Sequence, residues 1–328
     1  MEIKLTTVMY HYVRPIKISK FPGLKALDLQ EFKNQISYFK THYNFITTTD
    51  LILFKNHKIK LPKNPLILTF DDGYVDHYKY VFPILKKNKI SGTFFPVAKS
   101  ILENKILNVN KIQLLLTNTN KLNKIISYVE EMIELSDLNK KSLKFYKKKY
   151  SNFKRNRYDI PKVNYIKRLL QVGLHPQLRK KLLDFLFKKY VTSDEKDLAK
   201  NFYLSQKNLK EMANYGMEVG GHGYEHHWSN NLTMKEQKKD INKSFKFINK
   251  VKKKNQKLIF CYPYGGYNPN TIKILKSLNF DAAFTTNVGL ANCFSDNMLE
   301  LPRLDTNDFP KSKNLKISKW TKLANHEK

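Results

Sequence analysis

The sequence predicts an α/β protein, a distorted (β/α)7-type barrel with a largely helical insertion. Strand-like and helix-like segments alternate through residues 1–100 and again after residue 200. Residues 65–70, Pro-Leu-Ile-Leu-Thr-Phe, form a continuous apolar run, as expected for a parallel strand buried on both faces. Repeated strand–helix units indicate a parallel sheet, and a count of about seven strands favours a barrel over a small open sheet.

Each element of the first part has a local signal. Asp28 and Glu31 form a capping box that begins a helix with Phe32, Ile36 and Phe39 on one stripe. A helix interrupted near Pro83 is also predicted. The strands of this part are predicted at residues 3–10, 44–47, 65–70 and 90–97.

Residues 101–200 differ in character, because apolar residues recur there at helical spacing with lysines between them. Helices are predicted at residues 122–135, 163–172 and 176–190, and no strand pattern is evident. We interpret this segment as a helical insertion, or lid, within an α/β domain.

The alternation resumes after residue 200. Ser205 caps a helix that ends at Gly216, and Thr233 with Glu236 forms a capping box ahead of a lysine-rich amphipathic helix. Pro269 and Asn279 bracket the next helix. Strands are predicted at residues 217–221, 258–262, 280–286 and 299–304.

These patterns predict a discontinuous domain organisation. Residues 1–100 and 201–311 form the barrel, residues 101–200 form the insertion, and residues 312–328 form a basic C-terminal tail. With 328 residues and 41% hydrophobic residues, the chain is long enough and apolar enough to bury a substantial core.

The formal net charge of +32 would attract a polyanion at low salt. The basic residues are almost all lysines spread along the chain, however, whereas nucleic-acid sites concentrate arginines and aromatic residues on one face. We therefore expect no specific nucleic-acid partner. A lysine-biased composition explains most of the charge, and peripheral contact with an anionic membrane or an anionic substrate is the alternative.

The N-terminal residues lack the pattern of a secretory signal, and no apolar stretch approaches the length that spans a bilayer. Cys261 and Cys293 do not form a CxxC pair or a disulfide framework. From these features we expect a cytoplasmic protein, and the alternative is a cytoplasmic protein that associates with the membrane.

Three polar motifs follow predicted strands. Asp71-Asp72-Gly73 follows the strand at 65–70, the His222–His226 segment follows the strand at 217–221, and Pro263-Tyr264-Gly265 follows the strand at 258–262. Because ligands gather at the C-terminal ends of parallel strands, we expect all three motifs on one rim.

The residue types on this rim predict metal chemistry. His222 and His226, with three residues between them, can converge on one divalent ion, and imidazole suits zinc. A carboxylate from another strand would complete the ligand set, and a second carboxylate could take a proton from water. Each motif alone is common in ordinary turns, so the prediction depends on their occurring together.

Thr69-Phe-Asp-Asp-Gly73, His222-Gly-Tyr-Glu-His226 and Tyr262-Pro-Tyr-Gly265 resemble the first three motifs of the polysaccharide deacetylase family, also called the NodB-homology family or carbohydrate esterase family 4. The resemblance implies a distorted barrel that hydrolyses N-acetyl groups on sugars. It implies Asp71 as the base and Asp72, His222 and His226 as metal ligands. It also places Pro263 and Tyr264 at the substrate groove, where the Tyr264 N–H would stabilise an oxyanion.

The chain departs from the family pattern at two points. Cys261 stands where the family often has an arginine that braces the base, and Arg303 is a candidate replacement at the substrate and oxyanion side of the site. The later motif, which in the family supplies a C-terminal histidine as the general acid, is not visible in this sequence. Tyr10-His11-Tyr12 resembles the opening of deacetylases that act on surface polysaccharides, so His11 is our candidate acid.

The predicted function is removal of an N-acetyl group from an amino sugar of a surface polysaccharide, such as lipopolysaccharide, or its lipid- or nucleotide-linked precursor. Two alternatives stay open. One is an amidase or deformylase acting on another sugar amide, and the other is an inactive carbohydrate- or membrane-binding relative.

Overall fold

The structure is a computed structural model that describes residues 3–117, 121–138, 141–150, 159–312 and 316–325. The chain divides into two compact units. The barrel unit comprises Met1–Ile16, Ala26–Asn104 and Ala199–Lys328, and the helical unit comprises Lys17–Lys25 and Lys105–Leu198. The domain boundaries predicted at residues 100 and 201 stay a prediction.

Most strands of the barrel unit are short. In chain order they are β1 (Lys4–Tyr10), β2 (Val13–Arg14), β3 (Leu27–Asp28), β4 (Asn44–Phe45), β5 (Pro65–Asp72), β6 (Thr93–Pro96), β7 (Glu218–Val219), β8 (Ile259–Cys261), β9 (Ala282–Phe284), β10 (Ala291–Asn292) and β11 (Leu304–Asp305).

The helices are distributed over both units. They are α1 (Leu29–His42), α2 (Thr48–Lys55), α3 (Phe82–Lys87), α4 (Ala98–Leu102), α5 (Asn108–Leu115), α6 (Leu122–Glu134), α7 (Leu143–Tyr150), α8 (Pro161–Arg168), α9 (Pro176–Tyr190), α10 (Glu195–Phe202), α11 (Gln206–Asn214), α12 (Met234–Val251), α13 (Pro269–Ser277) and α14 (Lys319–Ala324). Among the described residues, no helix combines the length and apolar character that crossing a bilayer requires.

The parallel strands close into a distorted barrel. β1 pairs with β5, β5 with β6, and β6 with β7. A bridge between Gly221 and Phe260 leads to β8, which pairs with β9. A bridge between Phe284 and Leu301 leads to the last segment, where β11 pairs with β1. This parallel arrangement confirms the predicted fold class.

The closing segment differs from the prediction of one continuous strand at residues 299–304. Leu301 forms a bridge with Phe284 of β9, whereas β11, at Leu304–Asp305, pairs with β1. Pro302 lies between them and has no N–H to donate to a ladder, so the strand breaks there. The barrel is therefore distorted at its seam.

The alternation of side chains along β5 explains how this strand carries polar residues into the site. Leu66, Leu68 and Phe70 belong to the hydrophobic cluster that includes α1, α3 and α11 residues. Ile67 belongs instead to the cluster of Phe95, Phe284 and Leu301, which we place inside the barrel. With a period of two, Thr69 and Asp71 share the inward face with Ile67.

Several local predictions are confirmed. The predicted capping boxes at Asp28 and Thr233 begin α1 and α12, and the predicted cap at Ser205 begins α11, where Asn208 completes a capping box. The interruption near Pro83 is a π-helical turn, His77–Val81, immediately before α3. Part of the predicted basic tail forms α14, whose buried Thr321 hydroxyl hydrogen-bonds the Tyr38 and Tyr43 hydroxyls.

The helical unit has its own core and, over its described residues, no strand. Apolar residues at helical spacing on α6 and α9 supply much of this core, among them Ile125, Val129, Leu182 and Leu186. The stretch predicted as one helix at residues 163–172 is α8 followed by a π-helical turn, Leu169–Gly173.

Candidate metal centre and active site

The three motifs meet at the C-terminal rim of the barrel. Asp71 and Asp72 are the last two residues of β5, so they lie inside the strand rather than after it. His222 and His226 follow β7, and the turn at residues 263–265 follows β8. Because these strands are parallel, their chain directions bring the motifs to one edge, as the sequence predicted.

Asp72, His222 and His226 form a compact buried triad. The Nε2 atom of His226 lies 3.1 Å from Asp72 Oδ1 and 3.2 Å from His222 Nε2. His222 Nε2 lies 3.5 Å from the same Asp72 oxygen. All three residues are buried, and their ligand atoms lie within 4.8 Å of one another. Two imidazole nitrogens and one carboxylate oxygen therefore converge on a single position that a metal ion could occupy.

The hydrogen bonds around the triad hold these atoms in a form suited to a cation. The Nδ1–H of His222 donates to the Cys261 carbonyl at 2.9 Å, which leaves Nε2 with its lone pair in the neutral ring. The Tyr74 hydroxyl donates to Asp72 Oδ2 at 2.6 Å, and Oδ1 receives no well-directed hydrogen bond among the described residues.

This arrangement fits a divalent metal ion. Burial opposes ionisation of Asp72, but the neighbouring His226 and His222 imidazoles hold the pKa of its carboxyl well below the usual value. A buried carboxylate oxygen without a hydrogen-bond donor is costly unless a cation satisfies it. Nitrogen ligands from histidine and one carboxylate are a donor set that zinc accepts, with positions left for water and substrate.

The segment between the two histidines is clamped by helix α12. Asp240 Oδ2 accepts the Tyr224 N–H and Asp240 Oδ1 accepts the Glu225 N–H, both at 2.9 Å. Within this segment Gly223 and His226 have φ values of 69° and 60°. A Cβ at Gly223 would lie 2.8 Å from Asp240 Oδ2, so only glycine fits under the clamp. Asp240 thereby positions His226 relative to His222.

Replacement of Asp240 by alanine should weaken metal binding by about 10- to 100-fold, because the loop that orients His226 loses two hydrogen bonds. Asp240→Asn keeps one carbonyl acceptor and should weaken it less. Metal affinity is measured by competition with a chromogenic chelator. Glu236→Gln, one helical turn earlier on α12, removes a carboxylate that caps α12 instead, and serves as the control. Equal affinities for wild type and Asp240→Ala would contradict the positioning role.

Asp71 is held by a buried arginine. The Nη1 and Nη2 atoms of Arg303 donate to the two Asp71 carboxylate oxygens, each at 2.8 Å. Its Nε donates to the Thr285 carbonyl at 2.8 Å, and Nη1 also donates to the Thr69 hydroxyl. Arg303 is only 2% exposed, so its contacts support bracing of Asp71 rather than direct contact with substrate.

The same pair sets the charge of Asp71. Burial would raise the pKa of the carboxyl, but the Arg303 guanidinium outweighs burial and lowers the pKa from 3.8 to about 2. Asp71 is therefore ionised at neutral pH. It lies beside the triad, with a carboxylate oxygen within 4.8 Å of a His222 ring nitrogen.

Cys261 completes this corner of the site. Its sulfur lies 3.1 Å from Arg303 Nη2 and 3.6 Å from Asp71 Oδ2. Asp71, His222 and Cys261 are close enough to resemble a second metal cluster. The guanidinium beside both Asp71 and Cys261 disfavours a further cation there, since like charges repel strongly in a buried site.

His11 lies at the open side of the site. Its side chain is exposed, and its carbonyl accepts a hydrogen bond from His77 Nε2 at 2.7 Å. The charge of a protonated His11 lowers the pKa values of both Asp71 and Asp72, although it is a minor cause in each case. His11 is thus close to the aspartates and accessible to solvent.

The third motif forms an aromatic wall beside the triad. The Tyr264 ring stacks on Trp228, with centroids 3.5 Å apart, and meets the His226 ring edge-on at 4.4 Å. Tyr264 has φ 57° directly after Pro263, and Gly265 has φ 69° against Thr286. Both rings are partly exposed, so the wall is open to a ligand.

Three residues of the site were not predicted. Tyr74 hydrogen-bonds Asp72 and His77 hydrogen-bonds the His11 carbonyl, whereas Asp240 hydrogen-bonds the loop between His222 and His226. Tyr74 is two residues from Asp72 and could have been proposed from that spacing. Asp240 and His77 lie on helices and carry no sequence signal that separates them from ordinary surface or core residues.

Comparison with known proteins identifies a matching family and several relatives. The polysaccharide deacetylase family profile matches residues 58–132 and 178–283, more than half of the chain. A poly-β-1,6-N-acetyl-D-glucosamine N-deacetylase of Staphylococcus epidermidis is 36% identical over 112 residues, which cover 31% of this chain and 38% of that protein. The enzyme of the same name from Staphylococcus aureus is 32% identical over 88 residues, covering 26% and 30%. The chain thus spans about a third of the length of these curated relatives.

Two solved structures share the fold over almost the whole chain. The deacetylase PplD of Streptococcus pyogenes has a TM-score of 0.56 at 17% identity, covering 93% of each chain. IcaB from Ammonifex degensii has a TM-score of 0.56 at 19% identity, covering 98% of this chain and 96% of that one. The family profile and the shared barrel agree with the three motifs at the rim, and the chain belongs to the polysaccharide deacetylase family.

Proposed function

We propose that this protein is a metal-dependent N-deacetylase that hydrolyses the N-acetyl group of an amino sugar in a surface polysaccharide or its precursor. The observation that carries the proposal is the buried Asp72–His222–His226 triad beside the ionised, arginine-braced Asp71. A structural metal site would need the triad but not a second carboxylate held ready at its side.

In this proposal Asp72, His222 and His226 hold the ion, for which zinc is the expected identity. A bound divalent ion would lower the pKa of water and polarise an acyl oxygen. Asp71 accepts a proton from the attacking water as the water oxygen bonds to the carbonyl carbon of the acetyl group. The Tyr264 N–H donates to the acyl oxygen as negative charge develops there.

The second half of the reaction requires an acid. His11 protonates the amide nitrogen as the C–N bond breaks, so acetate and a free amino sugar leave. Its exposed position suits contact with a leaving group, and its electrostatic effect on both aspartates supports this assignment. Arg303 takes no part in proton transfer and keeps Asp71 ionised.

Two observations support a substrate for this proposal: the aromatic wall beside the triad and the names of the staphylococcal relatives. Sugar rings present apolar C–H faces that pack on aromatic rings, and the Trp228–Tyr264 pair offers such a surface beside the triad. The staphylococcal relatives are named for poly-β-1,6-N-acetyl-D-glucosamine. We therefore propose an N-acetylglucosamine polymer as the first substrate to test, with lipid- and nucleotide-linked N-acetylated sugars next.

Release of acetate from these substrates by the zinc-loaded protein tests the proposal, with enzymatic detection of acetate and of formate. We expect acetate, and Asp71→Asn should reduce its release by about 100-fold or more while metal remains bound. His11→Asn should reduce acetate release by about 100-fold or more while metal remains bound. Formate instead of acetate would indicate a deformylase, and no product with metal bound would reject the function.

A further inference from the structure

The helical unit presents a basic face that its own core does not explain. Residues 138–158 contain nine lysines and arginines and no acidic residue. Within this segment α7 buries Tyr146 and Tyr150 in the core of the unit. The opposite side carries Lys141, Lys144, Phe145, Lys148 and Lys149, all exposed. We refer to these five residues as the α7 face.

Helical geometry groups these residues. Within α7, positions 144 and 148 and positions 145 and 149 are four residues apart, so these four residues lie along one side of the helix. Lys141 lies just before the start of α7, and its ammonium group is 5.5 Å from the Phe145 ring centre. Lys147 points between the two sides, and its Nζ pairs with Glu130 at 2.9 Å. Among the described residues, none of the four lysines of the α7 face lies within ion-pair distance of a carboxylate.

Phe145 distinguishes this face from a solvated lysine surface. Its side chain is 39% exposed, and the ammonium groups of Lys141 and Lys149 lie 5.5 and 5.6 Å from its ring centre. From α7 the core of the unit takes Leu143, Tyr146 and Tyr150, whereas Phe145 keeps its outer side exposed and meets the Tyr146 ring edge-on. An exposed aromatic ring with two lysines beside it and two more on the same face suits a membrane surface, which carries anionic headgroups above an apolar interior.

We infer that the α7 face binds the surface of an anionic phospholipid membrane. The lysines would contact lipid phosphates, and Phe145 would enter the boundary between headgroups and acyl chains. Lysine contacts phosphate as a point charge, whereas sequence-reading nucleic-acid sites favour the forked hydrogen bonds of arginine, which is absent from this face. The inference does not depend on the proposed catalytic activity.

Vesicle co-sedimentation of the full chain tests the inference at near-physiological salt. Wild type should bind vesicles of phosphatidylcholine with phosphatidylglycerol and should not bind phosphatidylcholine alone. The variant K141Q/K144Q/K148Q/K149Q should bind at least about tenfold more weakly. Phe145→Ser, which retains every charge, should bind about tenfold more weakly.

A charge-matched variant separates a specific face from general attraction. K235Q/K238Q/K239Q/K246Q removes four exposed lysines from α12 and changes the net charge equally. It should weaken binding by less than about threefold, because these lysines belong to the barrel unit and not to the α7 face. Equal weakening by both quadruple variants would overturn the inference, as would unaltered binding of Phe145→Ser. Binding of single-stranded RNA but not of vesicles would also overturn it. Circular dichroism confirms that each variant is folded.

Discussion

Replacing His226 with alanine should remove the metal from the protein and reduce acetate release by about a thousand-fold or more. His226 Nε2 is 3.1 Å from Asp72 Oδ1 and 3.2 Å from His222 Nε2, so its loss removes one of three converging ligand atoms. A catalytic metal contributes several kcal/mol to the transition state, and each ~1.4 kcal/mol is a factor of ten in rate. His222→Ala should behave in the same way.

Metal content, by inductively coupled plasma mass spectrometry after dialysis, and acetate release are measured on the same samples. His227→Ala is the matched control, because His227 is the adjacent histidine but is exposed and contacts Glu225 instead of the triad. It should retain both metal and activity. Full metal content in His226→Ala and His222→Ala would reject the triad as the metal site.

Replacing Arg303 with methionine should destabilise the protein by about 3–5 kcal/mol, because the Asp71 carboxylate is left buried without its partner. Asp71→Asn/Arg303→Met removes both charges and should therefore be more stable than Arg303→Met alone. Urea unfolding followed by circular dichroism measures each free energy of unfolding. If the double variant is no more stable than Arg303→Met, the pair is not the source of the effect.

The same substitution should shift the pH dependence of catalysis. Arg303 holds the pKa of Asp71 at about 2, so its removal raises that pKa and moves the acid limb of kcat/KM to higher pH. Arg303→Lys keeps the charge and should shift the limb less. Arg14→Met is the control, since this buried arginine pairs with Asp76 at 2.7 Å. It should lower stability without moving the acid limb.

The elements that the sequence predicted well are those stabilised by near neighbours. The capping boxes at Asp28, Ser205 and Thr233 each depend on a residue three positions away, and all three begin the predicted helices. The apolar run at residues 65–70 identifies β5, because burial on both faces leaves no polar alternation. Strand ends then placed the motif residues at one rim.

The contacts that local patterns could not establish join distant parts of the chain. Arg303 and Asp71 are 232 positions apart, and only the family resemblance, which lacks its usual arginine at Cys261, made Arg303 a candidate partner of Asp71. Asp240, which hydrogen-bonds the His222–His226 loop, lies on the lysine-rich helix α12, where its sequence neighbours resemble those of any exposed residue. On either side of Pro302 the closing segment pairs with β9 at Leu301 and with β1 at Leu304–Asp305, and residues 299–304 alone indicate neither partner.

The sequence by itself determined the α/β class, the helix starts and the histidine pair His222 and His226, because each depends on residue type and spacing along the chain. The family resemblance added Asp72 as the third candidate ligand. The tertiary structure decided which atoms converge. Only closure of the barrel brings His226 to Asp72, turns Arg303 onto Asp71 and places Asp240 under the His222–His226 loop. Those contacts depend on distances between strands and helices, which no local spacing specifies.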